Sequence, residues 1–164
     1  MRVLRNILIG AVVLIALPVL AIRFLVQSAD TAAVDFASLV RHATPNDALA
    51  CPAGLCSAKA DLVTAPVPLS AAALAAKVLD IPRDEPRTVI VGRDDAGMHV
   101  VLVQRSLVFD FPDTIDVEVR ALDPGHAALA IYSRSKYGKG DLGVNLARVQ
   151  RWLGLLGVPA TSAR

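Results

Sequence analysis

Ser133, Arg134, Ser135, Lys136, Lys139, Asp141, Asn145 and Arg148 stand close together in Tyr-Ser-Arg-Ser-Lys-Tyr-Gly-Lys-Gly-Asp-Leu-Gly-Val-Asn-Leu-Ala-Arg, residues 132–148. Cationic side chains beside the amides of a helix start suit carboxylate or phosphate oxygens, which take charge-assisted hydrogen bonds from both. Arg134, Lys136, Lys139, Asn145 and Arg148 are therefore candidate ligand-binding residues, and Arg105 joins them if its strand lies beside that of Arg134. The same residues also read as a structural lock, with Asp141 capping the helix, Asn145 bonded to the preceding loop, and Arg148 paired with Asp141 or with strand carbonyls. A hydrolytic reading makes Ser133 or Ser135 the nucleophile and Asp141 an orienting or acid–base group. The stretch holds no histidine to activate a serine, and neither a Gly-x-Ser-x-Gly elbow nor an acidic metal cluster occurs, so no catalytic residue is assigned.

A change of hydrophobic period positions these groups. Residues 127–133 read as a strand, Gly138, Gly140 and Gly143 loosen a turn, and residues 141–156 carry an amphipathic helix pattern. At about 100° per residue, Leu142, Leu146, Val149, Leu153 and Leu156 fall on one stripe, the expected core face. Asp141, Asn145, Arg148 and Trp152 form a second stripe roughly 80° round, where half-buried polar groups need partners. Ser133, Ser135, Gly138, Asp141 and Gly143 are the expected structural frame of the motif.

The run Ser-Arg-Ser-x-x-Gly-x-x-Asp-x-Gly-Val-Asn-x-x-Arg from Ser133 to Arg148 has two companions. They are Val103-Gln104-Arg105-Ser106 and Phe109-Asp110-Phe111-Pro112-Asp113-Thr114. In this order the three motifs resemble the DUF1499 family, over about residues 45–156. The resemblance implies a domain and no particular reaction, since that family is named for having no assigned activity.

Ahead of this domain, Arg2 and Arg5 precede an apolar run from Ile7 to Ile22, interrupted by Arg23 and completed by Phe24-Leu25-Val26. A hydrocarbon core of about 30 Å needs roughly 20 apolar residues, and an arginine near one end can extend to the interface. Residues 1–27 are thus expected to be an uncleaved anchor meeting the bilayer through residues 7–26, with Arg2 and Arg5 cytoplasmic. In a bacterium this places a single-pass protein in the inner membrane, with its C-terminal domain periplasmic. A cleaved signal peptide ending near Val26-Gln27-Ser28 is the alternative. Three of the 17 basic residues and none of the 15 acidic ones lie in the anchor, which leaves 14 against 15, a net −1, for the remainder. That balance argues against nucleic acid as partner and for a small anion or anionic lipid at the local cationic stretch.

Cys51 and Cys56 enclose Pro52-Ala53-Gly54-Leu55, a turn-forming insert that favours a disulfide outside the cytoplasm. Closing so short a loop stabilises by roughly 2 kcal/mol on the chain-entropy model. Four intervening residues do not fit a Cys-x-x-Cys redox motif, and His42, His99 and His126 stand at no metal-ligand spacing from the cysteines. No metal and no cofactor are expected, and each histidine reads as a surface or turn residue.

The expected fold class is α+β: an N-terminal transmembrane helix, then a four-stranded antiparallel sheet packed against two helices. Residues 28–69 read as a juxtamembrane stalk and a disulfide-stapled arm, with one short helix over 34–40, and residues 70–164 as the α+β core. Ser70 caps a helix running to about Leu79 and ended by Pro82. Strands are expected over 88–92, 98–106, 114–121 and 127–133. In the third, Ile115, Val117 and Val119 oppose Asp116, Glu118 and Arg120, which predicts one wet face of the sheet. A helix-grip arrangement is the second expectation for the architecture. The leading functional expectation is a non-catalytic, membrane-tethered envelope domain binding an anionic or amphipathic ligand. A scaffold meeting an envelope protein partner, and a hydrolase of an envelope component, are the other two.

Overall fold

The computed structural model describes residues 2–26, 29–41 and 43–163. His42 and the cleavage point expected at Gln27 and Ser28 lie outside them. The N-terminal apolar run forms α1 (Arg2–Leu25), none of whose residues is buried by the rest of the chain. It is one helix long and apolar enough to cross a membrane, a property that signal sequences share.

The domain is built from β1 (Asp47–Pro52), β2 (Leu62–Thr64), α2 (Ala71–Asp84), β3 (Thr88–Arg93), β4 (His99–Arg105), β5 (Pro112–Asp123), β6 (His126–Ser135), α3 (Val144–Leu156) and β7 (Ala160–Ser162). Its sheet has seven strands in the order β3-β4-β5-β6-β1-β2-β7, with β1 and β2 parallel and every other neighbouring pair antiparallel. The α+β class is as expected, but the sheet is mixed and seven-stranded rather than four-stranded and antiparallel. β3 to β6 are the four expected strands. β1 and β2 come from the residues expected to form the arm. Ala48, Leu49, Ala50 and Cys51 are all buried, so β1 lies between two layers and lacks the alternation that marks a half-exposed strand. β2 and β7 have three residues each, too few to carry a period.

One face of the sheet is covered by α2 and α3. Leu74, Val78 and Ile81 of α2, Val149, Trp152, Leu153 and Leu156 of α3, and Val100, Leu102, Ile115, Val117, Leu129 and Ile131 of the sheet share the main core. Trp152 fills the space beneath α3 and is fully buried. Ser70 caps α2 by accepting from the Ala73 amide, as expected, but the helix runs past Leu79 and carries Pro82 in its last turn. The extra turn buries Ile81.

The opposite face is not wet. Residues 29–41 and the disulfide loop lie over it, with Phe36, Leu39, Leu49, Cys51, Ala130 and Tyr132 forming a second core. Asp116, expected at the water-facing side, is fully buried. The helix expected over 34–40 is only a turn at residues 36–38. Asp35 accounts for this by accepting from the Ala37 amide and the Ser38 hydroxyl, a local alternative to helical bonding. Cys51 and Cys56 form the expected disulfide.

Candidate functional site

β6 runs on to Ser135, so the alternation of a strand divides the candidate residues between the two faces of the sheet. Ser133 and Ser135 point toward α3, whereas Tyr132 and Arg134 point toward the 29–41 layer.

On the α3 side, the helix begins at Val144 rather than Asp141, because Leu142 (φ 54°) and Gly143 (φ 80°) both take the left-handed conformation. Leu142 and Leu146, expected in the core, are exposed, and the polar stripe turns inward instead: Asn145, Arg148 and Trp152 are buried beside Val149. Polar partners waiting on the sheet explain this rotation. Arg148 Nε donates to Gln104 Oε1 at 2.6 Å, Nη1 to Asn145 Oδ1 at 2.6 Å and Ser133 Oγ at 2.9 Å, and Nη2 to Asp113 Oδ2 at 2.6 Å. Its charge partner is therefore Asp113 and not the expected Asp141 or strand carbonyls. Asn145 Nδ2 lies 2.8–2.9 Å from Asp141 Oδ2, Ser135 Oγ and the Asn46 carbonyl, and Asn145 Oδ1 accepts from Ser133 Oγ at 2.6 Å. Asn46 Nδ2 in turn donates to the Gly138 carbonyl, closing the turn.

The network continues through Gln104, whose Nε2 donates to Glu85 Oε2 and Thr88 Oγ1, both at 3.0 Å. Arg151 grips the same Glu85 with two bonds of 2.6 and 2.7 Å. Hydrogen bonds from Arg151 hold the Glu85 carboxyl down at about 2, against burial that pushes it up, with Trp152 and Gln104 assisting Arg151. The Trp152 indole N–H is buried facing Glu85, in a geometry short of a full hydrogen bond to any of the described residues. Burial pushes the Asp141 carboxyl up, but the Asn145 and Gly143 amides and the Asn145 side chain outweigh it and leave Asp141 below its ordinary value.

On the other side, Arg134 Nη1 meets the buried Asp116 Oδ2 at 2.5 Å, while Asp116 Oδ1 accepts from the Val34 amide and lies 3.2 Å from His99 Nε2. The hydrogen bond to Asp116 raises the His99 pKa above its ordinary value in spite of burial, with Asp116, Glu118 and Asp94 adding attraction. The Arg134 guanidinium lies 5.3 Å from the centre of the Tyr132 ring, whose hydroxyl donates to Asp47 at 2.7 Å. Asp47 and Asp61 both pair with Arg41.

The six ligand-binding candidates are thus not one cluster. Asn145 and Arg148 lie under α3 and Arg134 lies across the sheet. Arg105 shares the Arg134 face, but β5 separates their strands, and Arg105 donates to the Asp110 carbonyl. Lys136 and Lys139 are exposed on the β6–α3 loop. A crevice of about 210 Å³ lined by Asp30, Thr114, Arg134, Ser135 and Lys136 has two of the candidate cations in its wall. Among the described residues, no group of three or more His, Cys, Asp or Glu is arranged to hold a metal ion.

The sequence reading did not assign roles to Gln104, Asp113, Glu85, Arg151, Asn46 or Asp116. A signal existed for two of them: Gln104 and Asp113 belong to the motifs that carry the family resemblance, and all three motifs meet at Arg148.

A family model described as a protein of unknown function, DUF1499, matches residues 26–156. No curated protein matches the chain. A solved START superfamily protein from Mycobacterium smegmatis is similar over 58% of this chain and 91% of its own, at 14% identity and a TM-score of 0.35.

Proposed function

Starting from the fact that this chain belongs to the DUF1499 family, we propose a membrane-tethered scaffold or protein-interaction domain, in which the 133–148 segment is an internal lock. The observation that carries this reading is Arg148: it is 4% exposed, and each of its three nitrogens is already bonded to a side chain of the same domain. A cation so engaged has little left to offer an incoming anion, whereas its loss would strand Asp113 and Gln104 beneath a helix.

In this proposal α1 is an uncleaved anchor, with Arg2 and Arg5 on the cytoplasmic side and the α+β domain outside, in a bacterium in the periplasm. The disulfide supports an oxidising compartment. The hydrolase reading has weaker support: Ser133 and Ser135 are buried in the lock, and among the described residues neither is hydrogen-bonded to a histidine.

The crevice beside Arg134 and Lys136 favours a second reading, an anionic ligand held on the far face of the sheet. Native mass spectrometry of the detergent-solubilised full chain separates the two. The scaffold reading predicts the bare protein mass after release from the micelle. A phosphate-bearing adduct that disappears in Arg134→Ala, with the variant still folded, would favour the ligand reading instead.

A further inference from the structure

The connection between α1 and the domain is too short to hold the domain clear of a bilayer. α1 ends at Leu25, and the Asp30 carbonyl already accepts from Thr114 Oγ1 at 2.9 Å. Five residues of chain reach at most about 18 Å even when fully extended. Thr114 lies near the start of β5, so the end of the domain nearest the span is the one carrying the β4–β5 loop, residues 106–111.

That loop is tied to the span itself. Arg23, in the last turn of α1, donates from Nη1 to the carbonyls of Leu107 and Val108 at 3.2 Å each and lies 3.6 Å from Asp110. An arginine flanking a span sits at headgroup depth, because its stem lies along acyl chains while its charge stays in the polar zone. The backbone it grips must lie at a similar depth.

The side chains of this loop suit that position. Leu107, Val108 and Phe109 are consecutive and exposed at 70%, 51% and 37% even with α1 in place. The ring of Phe109 stands 5.4 Å from that of Phe111, which stands 5.3 Å from Tyr137. Exposed Lys136 and Lys139 flank Tyr137. Apolar tips backed by aromatic rings and rimmed with cations are the composition of a surface that enters the headgroup region of a bilayer.

We propose that Leu107, Val108 and Phe109 insert into the leaflet through which α1 emerges, making the β4–β5 loop a second membrane contact that lays the domain on the bilayer. Lys136 and Lys139 then face the phosphates of that leaflet. The inference rests on α1 being a span.

The test uses the full chain reconstituted in vesicles of phosphatidylethanolamine and phosphatidylglycerol, with and without brominated acyl chains, which quench tryptophan on contact. Phe109→Trp and Leu107→Trp each place a reporter on the loop, and Leu17→Trp places one in α1. The buried Trp152 of the unsubstituted chain supplies the background. The added emission of all three variants is expected to fall by more than half in brominated vesicles. Quenching of Leu17→Trp alone would leave the span standing and overturn the loop insertion. Absence of quenching at Leu17→Trp would overturn both.

Discussion

Arg148 and Arg134 are separated by the thickness of the sheet although β6 brings Ser133 and Arg134 into succession. The sequence stretch was legible as a concentration of groups that need partners, and Ser133, Ser135, Asp141, Asn145 and Arg148 do bond to one another. It does not reveal the division between faces, because the strand pattern fades after Ser133, and two further residues of strand decide where Arg134 and Ser135 point. Asn145 is the hub: its amide reaches Asp141, Ser135 and Asn46, and its oxygen accepts from Ser133 and Arg148. Asn145→Ala leaves several buried groups short of partners and is expected to destabilise the domain by about 2 kcal/mol or more, measured as a shift in denaturant midpoint. Glu85 gives the network a pH signature. Its carboxyl titrates at about 2 when folded against an ordinary 4.5, so its contribution is complete above the unfolded value and disappears as the pH falls toward 2. Glu85→Gln is expected to be less stable at neutral pH and to show a shallower loss of stability across that acid window, read from denaturant midpoints at successive pH values.

At the scale of elements, the orientation of α3 was decided by polar rather than apolar partners. Leu142 and Leu146 continue the leucine spacing, yet a left-handed turn excludes the first from the helix, and the ion pair to Asp113 rotates the second outward. β3 to β6 were legible because turn residues bound apolar runs, with plain alternation in β5, whereas β1 is a short, alanine-rich run buried on both sides. The 29–41 segment has a sequence that suggests a short helix, yet it lies across the sheet as an irregular layer with one turn. It is held by tertiary bonds, among them the Val34 amide to Asp116 and the Phe36 ring against His99 at 5.9 Å. The folded state binds the His99 proton more tightly than the unfolded chain does, so this contribution is complete below the ordinary value of 6.5 and is lost as the pH rises through the higher folded value. Stability at about pH 9 is expected to fall below that at about pH 6, with a smaller difference in His99→Gln, as urea midpoints would show. The disulfide staples this same layer through Cys51 in the second core. Cys51→Ser/Cys56→Ser is expected to cost about 2 kcal/mol and to raise proteolytic cleavage within residues 53–60 before the main core opens.

The whole molecule is an apolar helix followed by a sheet covered on both sides, with α2 and α3 over one face and the 29–41 layer over the other. Its N-terminal apolar helix and its α+β class were legible from composition and period. The second layer was not, since the side chains that hold it come from residues far apart in the chain. The central claim is that the 133–148 segment locks the fold. Trp152, the single tryptophan, is buried beside Glu85 and reports directly on that lock. The decisive measurement is urea unfolding of the detergent-solubilised full chain, followed by Trp152 emission, for wild type and Arg148→Ala with and without inorganic phosphate. The lock predicts a loss of about 3–5 kcal/mol in the variant, as expected when one member of a buried charge pair is removed, and no effect of phosphate on either protein. Unchanged stability of Arg148→Ala, together with phosphate stabilising only the wild type, would contradict the claim and make Arg148 a ligand-binding residue.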